Sequence, residues 1–331
     1  MPASLVASPA LTEIIQLNSR LPAALTSTGG FECPLGAVEP VADWQWCVKA
    51  SDGGREVIAG KRLGEGLPAD FLRVEGWRRI RQLAGQWANP ESLLHSEVDR
   101  LWLEFDRADF ANVAPVPSLF VSIHSGSEVN EHPKALDAAL LALHLLNDGT
   151  LDGKVEAKLR SCFEALPKGA IPAYAALMLA RNTPGARLVM GLPLRLLRDY
   201  LRQVNWPGAM DELLRFVTEV APFVERLFFN LDVAGTLSPR IGIECHLRNK
   251  QPATEPRWQD LVGYFVKRGW CLPEKAAGLL AWPGHERAVL ADDLLPVRIF
   301  RGLHHLKVVF APDTPPQAKG YLNVWKSGPL D

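Results

Sequence analysis

Cysteine is scarce and poorly placed for pairing. Cys33, Cys47, Cys162, Cys245 and Cys271 are the five present, widely spaced and with no CxxC pair. An odd, scattered set argues against a disulfide framework or a paired-thiol redox centre, and fits reduced, buried thiols in a cytoplasmic protein. An excess of one charge is lacking too: 36 basic residues face 37 acidic ones, a net charge of −1. No global field therefore recruits nucleic acid or an anionic membrane. No apolar run reaches the roughly 20 residues of a membrane span. The opening MPASLVASPALTEIIQLNSR has no basic stretch and meets an acid at Glu13, which speaks against a secretory signal. GxSxG, Walker A and GxGxxG patterns are absent, and the glycines of GKRLGEG lack dinucleotide spacing.

What is present is a globular composition, 47% hydrophobic, with a recurring local pattern. Its clearest copy is Arg226 to Leu247, where Leu227, Phe229, Leu231 and Val233 alternate with Phe228, Asn230 and Asp232. After a Gly/Ser/Pro turn, Ile241, Ile243, Cys245 and Leu247 alternate with Gly242, Glu244 and His246. Alternation of period two predicts a hairpin with one apolar and one polar face. Helical spacing predicts two helices after it, Glu255–Gly269 and Pro273–Trp282.

Similar units precede and follow. Strands are expected at 100–106 and 118–124, then helices at Pro133–Asn147 and Gly153–Leu166. A weaker pair, Ala175–Arg181 and Arg187–Leu192 around Asn182-Thr183-Pro184-Gly185, precedes two helix patterns within 192–224. The chain closes with strands at 303–311 and 318–325. At the front, Asp52-Gly53-Gly54 predicts a hairpin turn, followed by helices at Ala69–Trp87 and Pro90–Asp99. Residues 1–40 read as a packed lead-in, with a helix over Ala10–Leu25 and a Gly/Pro-rich connector at Thr28–Pro40; residues 41–331 read as one repeat domain.

Strand–strand–helix–helix repeated about five times gives an α+β protein, and about ten hairpin-linked strands are best closed into an antiparallel barrel, which removes both edges. The apolar faces suit burial under outer helices. The opposite faces, including Trp102, Glu104, Asp106, Phe120, His124, Arg187, Phe228, Asp232, Glu244, His246, His305, Lys307, Lys319, Tyr321 and Trp325, would line a lumen large enough for a ligand.

In element order and strand polarity, residues 43–326 resemble the aromatic prenyltransferases of the αββα barrel type. The resemblance implies basic residues on several strands gripping a diphosphate, with aromatic neighbours. The matching positions are Arg187, Arg240, Lys307 and Lys319, accompanied by Trp102, Phe228, Tyr321 and Trp325. It further implies prenyl transfer from an allylic diphosphate to an aromatic or peptide side chain, in natural-product biosynthesis, with no cofactor certain and Mg²⁺ the one candidate. Charge-assisted bonds would hold the leaving group, aromatic faces the allylic cation, and Glu104 or Glu244 would take the acceptor's proton.

Two other readings stand beside it. The same cavity suits a non-catalytic protein binding a peptide or small molecule. Alternatively, Asp106, Asp232, Glu244 and His246, with Glu104 nearby, would serve a metal-assisted hydrolase or lyase. Adjacent His304 and His305 should face opposite ways, leaving only His305 toward the lumen. Of the ten tryptophans, those on or beside helices (Trp77, Trp87, Trp206, Trp258, Trp270, Trp282) should pack helices on the sheet, while Trp44 and Trp46 share a strand face that is placed inward.

Overall fold

A computed structural model describes residues 21–22, 25–26, 28–38, 43–106, 108, 112–123, 134–181, 185–288 and 297–329. Eleven strands appear among them: β1 (Thr28–Pro34), β2 (Asp43–Lys49), β3 (Val98–Asp106), β4 (Ser118–Ile123), β5 (Ile171–Leu177), β6 (Ala186–Gly191), β7 (Arg226–Val233), β8 (Leu237–His246), β9 (Gly284–Ala288), β10 (Val297–Ala311) and β11 (Thr314–Pro329). Each strand from β1 to β8 pairs antiparallel with the next, β8 pairs with β10, β10 with β11, and β11 with β1. Ten strands thus close on themselves, and β9 lies outside the ring, paired with β10. The expected closed antiparallel barrel is what the chain forms.

Helices fill the intervals between hairpins: α1 (Gly54–Ala59), α2 (Ala69–Arg73), α3 (Glu75–Trp87), α4 (Leu93–Glu97), α5 (Ala135–Leu146), α6 (Gly153–Glu164), α7 (Leu197–Gln203), α8 (Met210–Val220), α9 (Arg257–Lys267) and α10 (Pro273–Ala281). Their starts follow local chemistry. Asp152 caps α6 by accepting from the amides of Lys154 and Val155, and Pro273 opens α10 where its missing N–H costs nothing. Along α3 the buried residues are Trp77, Ile80, Leu83, Ala84 and Trp87, the stripe that a helix lays on a sheet.

That stripe meets the outward faces of the strands. Leu101, Leu103, Phe105, Leu119, Val121, Leu188, Met190, Phe229, Leu231, Ile241, Ile243, Leu306 and Val308 are fully buried in one hydrophobic core. The core therefore lies between barrel and helices, leaving the lumen to polar and aromatic side chains. Trp77, Trp87, Trp206, Trp258 and Trp282 are buried there, each removing roughly 150–250 Å² from water. No helix among the described residues is long and apolar enough to cross a membrane. All five cysteines are free and buried.

Three expectations are corrected. Thr28–Pro34 is no connector: it is β1, hydrogen-bonded on both sides, to β11 and β2. Asp52-Gly53-Gly54 makes no hairpin; Gly53 takes the left-handed conformation (φ 72°) to join a short 3-10 turn to α1. Trp44 and Trp46 point outward, where Trp46 meets Phe105 edge-on at 5.2 Å and Trp44 packs at 5.7 Å from Phe31. The expected helix over 10–25 lies almost wholly outside the described residues, as do His124 and the turn at 182–184.

Candidate functional site

Strand register sets the lumen's chemistry by placing polar residues opposite one another. Glu32 faces Tyr321, Gln45 faces Glu104, Arg187 faces Asp232, Phe228 faces Glu244, and Lys307 faces Glu244 on one side and Lys319 on the other. Directly opposed side chains on one sheet face lie within reach of each other. The result is two adjoining chambers inside the barrel.

The smaller, about 30 Å³, is lined by Arg181, Arg187, Arg240, Lys307 and Lys319 together with Glu32, Glu104, Asp232, Asn230 and Tyr321. All four basic residues singled out from the sequence converge on it. Arg187 grips Asp232 with two bonds of 2.7 and 3.3 Å, and Arg240 stands 3.6 Å from the same carboxylate. Lys319 lies 2.6 Å from Glu32, which also accepts from the Tyr321 hydroxyl at 2.5 Å. Lys307 donates to Asn230 at 2.6 Å and to Glu244 at 3.4 Å. Five cations and three carboxylates line the chamber, with Glu244 against Lys307 and Asp43 and Asp106 against Arg181 at its margins. At Arg240, burial first, then neighbouring Arg187, pulls the guanidinium below the ordinary value, against the pull of Asp232. Gly242 makes room for this packing, since a Cβ there would fall 2.8 Å from Lys307 Cε.

The larger chamber, about 240 Å³, is walled by Trp102, Phe120, Tyr174, Phe228, Tyr321 and the rings of His246, His304 and His305, with Gln45, Glu104, Arg226, Glu244 and Lys307 at its edges. Glu104, Lys307 and Tyr321 line both chambers. Burial raises the Glu244 carboxyl, but His305, Lys307 and the hydrogen bond from His246 outweigh it, so the group sits well below its usual range and is ionised at neutral pH. Burial also pushes the His304 and His305 imidazoles well below theirs, keeping them neutral. A wider hollow of about 660 Å³ outside the lumen is lined, among the described residues, by Asp70 and mainly apolar side chains with no cation among them.

Several expectations change here. His304 and His305 both face the larger chamber, because β10 bulges between them: Leu303 pairs with Leu322 and His305 with the next residue, Tyr321. The extra residue, His304, is thereby turned to the same side as its neighbour. Trp325 does not line either chamber; it stacks on Phe300 at 5.5 Å. The acid/His set also fails to converge. Glu244 and His246 touch at 3.1 Å, but Asp232 is held by Arg187 and Asp106 by Arg181 at 2.5 Å. The sequence reading missed Glu32, because its strand was read as a connector, and Arg181, which sits in a 3-10 turn just beyond β5.

Arg181 binds three carboxylates at once: Asp106, Glu104 at 2.8 Å and Asp43 at 3.2 Å. One guanidinium cannot neutralise three. Burial, then Glu32 and Glu104, pushes Asp43 up to about 7, against Arg181. Folded Asp43 thus holds a proton that unfolded Asp43 has already released, a stabilising contribution present at low pH and lost as pH rises through about 7. Stability should fall across roughly pH 4 to 7, by at most about 1.4 kcal/mol per pH unit from this group, and Asp43→Asn should flatten the fall. Parallel urea-denaturation profiles for the two proteins over that range would rule the pairing out as its source.

No family model matches the chain, and no curated protein sequence does. Among solved structures, the apo form of the prenyltransferase PriB aligns with a TM-score of 0.52 at 13% identity, over 97% of this chain and 91% of that one. A binary complex of PriB with its product diphosphate aligns at 0.50 and 15% identity, over 90% and 79%. The 5-dimethylallyltryptophan synthase from Streptomyces coelicolor gives 0.44 and 15%, over 90% and 81%. The two PriB likenesses show a common fold: this chain forms the prenyltransferase-type barrel foreseen from its repeats.

Proposed function

We propose that this protein is a prenyltransferase that moves an allylic group from its diphosphate to an aromatic or peptide side chain inside the barrel. The observation that carries the reading is the convergence of Arg187, Arg240, Lys307 and Lys319 on one small chamber that adjoins a wider aromatic one. The PriB complex holds diphosphate, which supports assigning the cationic chamber to that group. No comparable support exists for a cavity that binds without chemistry.

In this reading the diphosphate lies among the four cations, joined by Arg181. The C1–O bond breaks and its electron pair leaves with the diphosphate, whose growing charge the cations meet without reorganising. Trp102, Phe228 and Tyr321 present ring faces to the allylic cation, each worth about 0.5–2 kcal/mol. The acceptor's ring or side chain supplies the electron pair for the new C–C or C–heteroatom bond. Its proton passes to Glu244, already ionised, or to Glu104, which lines both chambers. Mg²⁺ enters the scheme only as an ion carried by the diphosphate oxygens. Five reduced thiols fit a cytoplasmic enzyme, and small aromatic acceptors fit natural-product biosynthesis.

Dimethylallyl or geranyl diphosphate should raise the melting temperature, by more as its concentration rises above Kd, because a ligand of the folded state alone stabilises it. At a hundredfold excess over Kd the gain is about 2.7 kcal/mol. No shift at millimolar diphosphate, with no diphosphate released in the presence of tryptophan, tyrosine or their peptides, would sink the reading.

A further inference from the structure

The wall of the larger chamber carries a feature that prenyl transfer does not use. On β8 and β10, His246 stands directly opposite His305, their rings stacked at 4.6 Å. The bulge then turns His304 to the same side, bringing its Nδ1 to 2.7 Å from Nδ1 of His305. One nitrogen of each of the three imidazoles lies within 4.8 Å of one nitrogen of the others. Without the bulge, His304 would face the outer core and the cluster would contain only two rings.

We propose that His246, His304 and His305 form a binding site for a divalent transition-metal ion, Zn²⁺ or Co²⁺, with a coordination position open to the larger chamber. Two donors each about 2.1 Å from a common tetrahedral ion stand roughly 3.4 Å apart, so the His304 and His305 Nδ1 atoms, now hydrogen-bonded at 2.7 Å, need only part slightly to admit one. Imidazole donors suit Zn, Co, Ni and Cu rather than Mg or Ca. His246 Nε2 lies 3.1 Å from Glu244 Oε2. A carboxylate holding one ring nitrogen leaves the other lone pair for the metal and raises its basicity. The same carboxylate supplies negative charge 3.9 Å from His305 Nε2, a buried atom with no hydrogen-bond partner. Three protein nitrogens and an open place facing a cavity are the pattern of a reactive rather than a closed structural zinc site. In that position the ion would bind an acceptor's thiolate, phenolate or imidazole and make it a stronger nucleophile at neutral pH.

The other group of close potential donors, Asp43, Glu104 and Asp106, is already filled by the Arg181 guanidinium. The histidine site needs no assumption about prenyl transfer, and its test uses none. The metal-free full chain is titrated with Co²⁺ and followed by visible absorption, with metal stoichiometry after dialysis measured in parallel. One Co²⁺ per chain with intense d–d bands is expected, together with a 10-fold or larger loss of affinity in His304→Ala, His305→Ala and His246→Ala. Glu244→Gln should weaken binding 10- to 100-fold as a partner behind the ligands. X-ray absorption on the unaltered protein should count three nitrogen neighbours, which decides the matter even if a histidine variant fails to fold. A weak spectrum like that of hydrated Co²⁺, or tight binding that survives all three substitutions, would overturn the site and leave the histidines as a stacked wall.

Discussion

Lys307→Met is expected to weaken binding of dimethylallyl diphosphate by about 10- to 150-fold, the equivalent of a charge-assisted hydrogen bond of roughly 1.5–3 kcal/mol. Its effect on turnover should be larger, about 10²–10³ in kcat, because the interaction strengthens as charge builds on the leaving group. Lys307 is singled out because it lines both chambers, standing where the breaking C–O bond would lie. Burial lowers its ammonium and Glu244 opposes that only in part, so it is a donor held away from bulk water. Methionine keeps the stem's volume, and Glu244 retains Asn230 and His246 as partners, so the fold should survive. Calorimetry with diphosphate alone separates binding from chemistry. If Lys307→Met and Lys319→Met both bind as the parent does, the diphosphate lies elsewhere, even though the barrel stands.

The largest effect on stability is expected at Arg181. Replacing it with methionine leaves Glu104, Asp106 and Asp43 facing each other without their shared guanidinium. Breaking a fully buried ion pair from one side typically costs 3–5 kcal/mol, but Arg181 is exposed at one end and solvent screens the pairs, which brings the expected cost to about 1–3 kcal/mol. For a chain of 331 residues that is a fall in Tm of about 2–4 °C. The loss should deepen as pH rises, because the surviving carboxylates relieve repulsion by holding protons. Adding Glu104→Gln and Asp43→Asn should restore much of the stability by removing the charges themselves. A double-mutant cycle in urea checks this: simple additivity would mean that Arg181 acts by packing instead.

Sidedness was legible in the sequence because a strand alternates strictly. Once Ile241, Ile243 and Cys245 are assigned to the buried face, Glu244 and His246 must lie on the other. That rule placed Arg187, Lys307 and Lys319 on the lumen side before any coordinates, and the family resemblance added Arg240. It failed where the backbone departs from plain strand geometry. The bulge at His304 adds a residue and flips the parity, and nothing in LHHLK announces it. TGGFECP hid a strand because its glycines offer no pattern, although Gly30 is required: a Cβ there would lie 2.3 Å from the carbonyl oxygen of Leu322 on β11. Arg181 was counted as a strand residue, whereas a turn lets its guanidinium reach across to Asp43 and Asp106. Trp44 and Trp46 were assigned to the wrong face because large aromatics suit a helix-covered surface and a ligand chamber equally well.

The pairing of β11 with both β10 and β1 gives the barrel a seam that joins the first described strand to the last. During synthesis β1 and β8 emerge early and wait, each with one row of amides and carbonyls unanswered, until the final hairpin leaves the ribosome. Such contacts between distant parts of a chain form slowly, and open strand edges recruit other copies meanwhile. Yield in a cell should therefore depend on how quickly that last hairpin is delivered, and chaperone supply should matter most in this interval.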